Sequence, residues 1–146
     1  VGGNVDTSSL LGRPSTFRFP FNIPSPITTT VGVEWTSMGI TSFDTSDVFS
    51  DPSRTFRFSG VAEVDPTGSG TARVEVCLWD LNSDVQVSGG YFVSPTSAHF
   101  HIFDVEVVGL QEGVGLYEVR ARRLSGSGAP PDGIGIVSAA IDVRYV

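Results

Sequence analysis

Hydrophobic and polar residues alternate with a period of two along most of the chain, and no window of helical length carries the spacing of an amphipathic helix. Successive side chains of a β-strand point to opposite faces, so this alternation predicts strands that each bury one face. The clearest two lie at residues 54–65 and 71–81, on either side of the Pro- and Gly-containing segment 65–70. Turn residues of this kind predict a hairpin that joins the two strands.

Further strands are predicted at residues 28–35, 38–43, 84–87, 91–93, 99–108, 115–124 and 134–146. The segments 84–87 and 91–93 flank two glycines, so they form a second hairpin or one bulged strand. Turn signals separate all these segments, and about eight strands without a helix predict an all-β fold, an antiparallel β-sandwich that is jelly-roll-like. A fibronectin- or immunoglobulin-like sandwich is the alternative fold.

Side-chain parity predicts which residues of two of these strands face the core. In the strand at 99–108, Phe100 and Ile102 share one parity and Phe103 has the other, which predicts a β-bulge near residue 102 that reconciles them. In the last strand, the predicted inward set starts at Val137 and continues at every second residue.

A proline-rich segment precedes the predicted sandwich. Its alternating apolar positions are Phe17, Phe19, Phe21 and Ile23. Pro20 lies among them and cannot donate a hydrogen bond to a ladder, which predicts an edge strand. We divide the chain into an extended N-terminal arm, residues 1–27, and a β-sandwich domain, residues 28–146. Each phenylalanine gains about 1.5–3 kcal/mol on burial, so the arm lies on its own domain or adds to the edge of a neighbouring molecule, which would imply an assembly.

Composition excludes several classes of function. The chain has 146 residues and a net charge of −7, and its nine basic residues are all arginine. An acidic chain with scattered arginines lacks the basic face that nucleic acids and anionic membranes require, so neither partner is expected. The missing lysine excludes Schiff-base and P-loop chemistry. No apolar run approaches the ~20 residues that span a bilayer, and residues 1–6 show neither the basic nor the apolar region of a signal peptide, a pattern that a processed chain would also show.

The residues with catalytic or metal-binding potential are few. His99 and His101 point to one face of a strand and could share a metal, but one chain offers only two ligands, so no metal is expected unless a three-fold axis multiplies them. Cys77 has no basic neighbour in sequence to lower its pKa. Glu63 and Glu75, expected opposite each other on the first hairpin, fit a solvated surface better than a glycosidase pair. We therefore predict no enzymatic activity, no catalytic residues and no cofactor.

Three other groups of side chains have an alternative explanation. Aspartates recur in two loops, at Asp44, Asp47 and Asp51 and at Asp80 and Asp84, where turn formation explains them better than calcium binding. The cluster Arg120, Arg122 and Arg123 fits ion pairs with acidic residues of a neighbouring strand or subunit. Trp35, Trp79 and Tyr91 could stack on sugar rings, and Trp79 is the best candidate because it has outward parity, although a core or interface role is the simpler explanation.

Three segments carry a resemblance to a known class of proteins: residues 54–60 (RTFRFSG), 116–122 (LYEVRAR) and 137–145 (VSAAIDVRY), the last following a Ser/Gly loop. From about residue 54 to 146 the chain resembles jelly-roll structural domains of tailed bacteriophages. Its last strand is similar to those of head-decoration, head-fibre and tail-fibre domains, many of which are trimeric. The resemblance implies a homotrimer located in the virion, and it carries no functional residues with it.

We therefore expect a non-enzymatic virion structural protein that binds copies of itself and other virion proteins through its arm and its sandwich edges. The arm residues expected to make the contact are Phe17, Phe19, Phe21 and Ile23. The alternative is an extracellular carbohydrate-binding module that binds a glycan through Trp79 and Tyr91.

Overall fold

A computed structural model describes residues 16–23, 32–49, 52–64, 73–93, 100–124 and 134–145 of the chain. Within these ranges the strands are β1 (Thr16–Pro20), β2 (Thr36–Asp44), β3 (Arg54–Val64), β4 (Val74–Asp80), β5 (Val85–Gln86), β6 (Tyr91–Val93), β7 (Phe100–Glu106), β8 (Val114–Arg123) and β9 (Ile134–Tyr145). One helical turn, α1 (Ser46–Phe49), follows β2.

The strands form two antiparallel sheets that pack face to face. The four-stranded sheet has the order β1-β9-β3-β7, and the five-stranded sheet has the order β2-β8-β4-β5 with β6 also paired to β4. The chain passes from one sheet to the other between β1 and β2, β2 and β3, and β3 and β4, and again at each step from β6 to β9. This is a jelly-roll-like path, and the predicted all-β antiparallel sandwich is confirmed.

The core lies between the sheets and is built from the inward parity of each strand. Val74, Val76 and Leu78 of β4 are fully buried, and they face Phe58 and Phe103 of the other sheet's strands. The Phe58 and Phe103 rings lie 4.9 Å apart between centroids. Period-two alternation therefore predicts these inner residues correctly.

The predicted hairpin between the two longest central strands is wrong. β3 pairs with β7 and β9, whereas β4 pairs with β5, β6 and β8, so the two strands belong to different sheets. Glu63 consequently lies opposite Phe100 in one sheet, and Glu75 lies opposite Arg122 in the other. Alternation reports that a strand has a buried face but not which sheet carries it, and two strands that face each other across a core alternate in the same way.

The predicted bulge near residue 102 is also wrong. The β3–β7 register runs without interruption from Arg57 opposite Glu106 to Glu63 opposite Phe100, so Phe100 and Ile102 point away from the core. A bulge occurs in β9 instead, where the register shifts opposite Val61 and Ala62 and leaves Val137 unpaired and exposed. Val137 therefore does not belong to the inward set, which contains Ile134 and Ile136 on that side of the bulge.

Two smaller predictions also need correction. Of the strand predicted at 28–35, residues 32–35 are not in a strand and residues 28–31 lie outside the described ranges; β2 begins at Thr36. The prediction that the chain has no helix is also wrong, because Ser46–Phe49 form the single helical turn α1, whose Val48 is buried.

β1 occupies an edge of the four-stranded sheet, as the position of Pro20 predicts. The Phe21 backbone N–H donates to the Ala139 carbonyl of the β9 segment at 2.8 Å. Because alternate residues of a strand direct their N–H groups to the same side, the missing N–H of Pro20 lies on the open side of β1. The ladder with β9 therefore loses no hydrogen bond to this proline.

Candidate functional site

The arm residues singled out from the sequence lie on the chain's own sandwich. Phe21 is only 7% exposed and Phe19 and Ile23 pack against the core, whereas Phe17 is 45% exposed. The Phe43 ring of β2 contacts both Phe19 and Phe21, with centroid distances of 5.6 and 4.9 Å. Residues 16–23 of the arm therefore lie on the chain's own domain, which is the first of the two alternatives predicted from the sequence. The proposed boundary between residues 27 and 28 lies outside the described ranges.

Ion pairs join the strands at one end of the outer face of the four-stranded sheet. Asp142 of β9 accepts hydrogen bonds from Arg18 Nε of β1 at 2.8 Å and from Ser59 Oγ of β3 at 2.5 Å. Asp104 of β7 accepts from Arg57 Nε at 2.6 Å and Arg144 Nη2 at 2.9 Å. Acceptors and donors thus alternate across the face, and its charges are largely compensated within the chain.

The pKa of Asp104 records this compensation. Partial burial raises the pKa of this carboxyl, but hydrogen bonds and charge from Arg57 and Arg144 outweigh that effect and hold the pKa below its ordinary value. Asp104 therefore remains ionised and paired at neutral pH.

An apolar patch covers the other end of the same face, and we define it as Val61, Phe100, Ile102 and Val137. Ile102 is 77% exposed, the highest value among the large hydrophobic side chains of the described residues, and Phe100 is 60% exposed. Ile102 lies directly opposite Val61, which in turn lies opposite Ser138, next to the bulged Val137. Side chains on such a face are within contact distance of each other, so the four form a contiguous exposed apolar surface. Contiguous patches of this kind mark interaction sites more often than isolated exposed hydrophobic residues do.

Arginines and tryptophans form a layer on the outer face of the five-stranded sheet. The Arg120 guanidinium lies 4.2 Å from the centroid of the Trp79 ring, and the Arg122 guanidinium lies 4.1 Å from that of Trp35. The two indole rings are 6.1 Å apart. Cation–π contacts of this geometry hold the four side chains against the sheet.

This layer covers two carboxylates and a thiol. Glu75 pairs with Arg122 across the β4–β8 ladder at 2.8 Å, and Glu118 pairs with Arg120 within β8. Both carboxylates are buried although they point away from the core. Arg122 pairs with an acidic residue of a neighbouring strand, as expected, whereas Arg120 pairs with Glu118 of its own strand, so neither of these two arginines is free to bind an external anion.

The two candidate sugar-binding aromatics lie on opposite faces of the five-stranded sheet. Trp79 belongs to the outer layer, and its Nε1 donates to Asp84 Oδ1 at 3.0 Å. Tyr91 lies opposite the inward-facing Val76, and its ring packs against Phe103 at a centroid distance of 5.9 Å. The structure therefore does not bring them together. The aromatic beside Trp79 is Trp35, the third aromatic considered from the sequence, and their ring centroids lie 6.1 Å apart.

Cys77 and His101 are both enclosed by other side chains. Burial is the main cause that raises the pKa of the Cys77 thiol to about 12, and the negative charge of Glu75 adds to it. His101 lies opposite Ala62, and its Nε2 is buried without a hydrogen-bond partner among the described residues. His99 lies outside the described ranges. In those ranges no group of three or more His, Cys, Asp or Glu residues is arranged to hold a metal ion.

Two of the described loop aspartates, Asp44 and Asp80, organise turns. Asp80 Oδ1 accepts from the backbone N–H groups of Asn82 and Ser83 at 2.9 and 3.2 Å. Asp44 Oδ1 accepts from the Ser46 N–H and hydroxyl at 3.0 and 2.6 Å, and these bonds lower the pKa of Asp44. Asp51, the third aspartate of its cluster, lies outside the described ranges. These short contacts are typical of turn formation.

Among the described residues there is no helix with the length and apolarity that a membrane crossing requires. No protein-family model and no curated protein matches the chain.

Proposed function

We propose that this chain is a non-enzymatic structural subunit of a virion, a capsid-decoration, fibre or tail component, that works by binding copies of itself and other proteins of the particle. The observation that carries the proposal is the apolar patch beside β7. Phe100 and Ile102 lie side by side on a rigid sheet and remain exposed, although burying each would contribute about 1.5–3 kcal/mol. A partner surface that covers the patch would recover that free energy.

The electrostatics of the same face are compatible with protein contact. Asp104 and Asp142 are both paired with arginines of the chain, so they need no external counter-ion. Burying charges that are already paired within the chain costs less than burying unpaired charges, which would be desolvated without any partner.

The virion assignment is supported by the resemblance of residues 54–146 to phage jelly-roll domains and by the jelly-roll-like order of the strands. Fold alone does not specify function, so the test is the neighbourhood of the coding sequence. Genes for capsid and tail proteins beside it would support the proposal. Glycoside hydrolase modules in the same reading frame would contradict it and favour the extracellular alternative.

Carbohydrate binding has weaker support. Trp79 and Tyr91 do not share a face, and Arg120 already covers one face of the Trp79 ring. Binding to a glycan array that is abolished by Trp79→Ala would nevertheless restore this alternative.

Self-association is tested by light scattering coupled to size-exclusion chromatography on the full chain over a wide range of concentrations. We expect a mass that rises above the 15.5 kDa of one chain. A single monomeric species at every concentration would overturn the proposal that the chain assembles with copies of itself.

A further inference from the structure

We propose that two copies of the chain pair antiparallel along the outer edge of β7, with Ile102 of one copy opposite Ile102 of the other across a two-fold axis. This inference rests on the proposed function, because it specifies the contact through which the copies associate. It joins the two four-stranded sheets into one continuous sheet.

The hydrogen bonds of β7 show which of its backbone groups face outward. The Val107 N–H donates to the Phe56 carbonyl at 3.0 Å, so odd-numbered residues of this segment face β3. The Glu106 carbonyl accepts from the Gly89 N–H at 3.3 Å, on the opposite side. Because the two sides alternate along an antiparallel strand, the N–H and C=O groups of Phe100, Ile102 and Asp104 point away from β3. None of them has a strand partner among the described residues, and the Asp104 carbonyl accepts one side-chain hydrogen bond, from Arg57 Nη2 at 2.9 Å, which leaves its second lone pair for a strand partner.

The open length of this edge is self-complementary. Residues 87–89 cover the edge at Val107 and Glu106, which leaves Phe100, Ile102 and Asp104 as its outward-facing residues in the described part of the strand. A two-fold axis at Ile102 places Phe100 of each copy opposite Asp104 of the other, and these two pairs together with the central Ile102 pair exchange about six hydrogen bonds in all.

Charge disfavours the register centred on Asp104. Centring the pair on Asp104 would set two carboxylates directly opposite each other, which is unfavourable. Centring it on Ile102 instead sets two β-branched apolar side chains opposite each other, a favourable cross-strand pair. The two apolar patches then become continuous through Ile102.

The other edge strands that the structure describes are shorter than β7 or interrupted, and β7 is neither. β1 carries Pro20 with its missing N–H on the open side, and β2 is interrupted by a register shift between Ser37 and Gly39. β5 and β6 contain only two and three residues. β7 has seven residues without a proline or a register shift, and an exposed apolar edge of this kind is a template for another strand.

Charge-swap variants at the proposed axis provide the test. We expect Ile102→Lys and Ile102→Glu each to weaken self-association at least about tenfold, because each sets two like charges opposite each other. An equimolar mixture of the two should associate again, since lysine of one copy then faces glutamate of the other. Ile40→Lys is the matched control: it places the same charge on an exposed isoleucine of β2, in the other sheet, and should leave association unchanged.

Hydrogen exchange followed by NMR tests the register. The amides of Ile102 and Asp104 should gain protection as the concentration rises, whereas those of His101 and Phe103, which face β3, should not change. Far-UV circular dichroism establishes that each variant is folded, as the exposure of Ile102 predicts.

The outcomes separate this inference from the proposed function. Pairing predicts a particle of two chains, so a trimer, or an oligomer whose mass is the same in both Ile102 variants, would overturn the β7 contact and leave self-assembly standing. Loss of association in a further variant, Val137→Lys, which places a charge on the same patch away from the edge, but not in the Ile102 variants would also overturn it, in favour of face-to-face stacking. Failure of the two folded variants to associate when mixed would rule out the Ile102 register.

Discussion

Single residues of the five-stranded sheet titrate far from their usual range because of their position. Cys77 lies beneath the arginine–tryptophan layer, and burial raises its pKa from 9.0 to about 12. Tyr117 lies on the inner face of the same sheet, where burial first and the charge of Asp80 second raise its pKa from 10.0 to about 12. Both groups are therefore neutral in the folded chain over the whole physiological range.

Stability should fall as the pH rises from about 9 to about 12. In this window Cys77 and Tyr117 ionise in the unfolded chain before they ionise in the folded one, so the folded state binds more protons. The free energy of unfolding therefore falls as the pH rises. Urea unfolding across this range measures the slope. Cys77→Ala should reduce the slope between pH 9 and 10, and an identical slope in that variant would contradict the assigned pKa of the thiol.

The two aspartates of the ion-paired face should differ in their contribution to folding. Asp142→Asn should lower the free energy of unfolding by about 1.5–3 kcal/mol, because this buried carboxylate accepts charged and hydroxyl donors from two other strands. Asp104→Asn should cost only about 0–1 kcal/mol, because its pairs are open to solvent. Denaturant titration of both variants gives the comparison, and equal losses would argue against burial as the deciding factor.

At the scale of the strand, a glycine allows β9 to bulge against β3. A Cβ atom on Gly60 would overlap the Ser138 carbonyl oxygen and the Ala139 backbone, neither of which is the end of a flexible side chain. We expect Gly60→Ala to destabilise the fold by about 1–3 kcal/mol. Gly89→Ala is the matched control, since nothing lies within 4 Å of its added Cβ, and its unfolding midpoint should stay near that of the wild type.

The sequence predicts the existence of most strands better than their pairing. Alternation identifies β3, β4, β8 and β9 and most of their buried residues, because the period of a strand is a local property. It does not identify the sheet to which β3 or β4 belongs, since that depends on contacts between distant segments. It also assigns Val137 and Ile102 to the core, because both have apolar side chains and only the register shows that they face outward.

The candidate surfaces were even less accessible from the sequence. The apolar patch combines residues of β3, β7 and β9, and the arginine–tryptophan layer combines Trp35 with Trp79 from segments that are distant along the chain. Single residues in each were noticed, Trp79 and the arginines among them. Their partners follow from the strand order, and that order is a property of the whole fold.

At the scale of the whole molecule, the N-terminal segment is the first strand of the sandwich. β1 closes the four-stranded sheet beside β9, and the Asn22 N–H donates to Thr41 Oγ1 of β2 in the other sheet at 2.9 Å. Phe21 lies in the core between them. A deletion that was designed to remove an assembly arm would therefore also remove part of the core.

We expect a chain that lacks residues 1–23 to lose at least as much stability as the variant Phe21→Ala, which should lose about 3–5 kcal/mol. Phe17→Ala is the control within the same strand, because its ring is nearly half exposed and its loss should be much smaller. Urea unfolding of the three proteins, followed by tryptophan fluorescence, gives the order. An unchanged midpoint in the truncated chain would show that β1 is dispensable to the fold. If the truncated chain is destabilised instead, its oligomeric state says nothing about assembly, and substitutions at the exposed Ile102 become the informative probe.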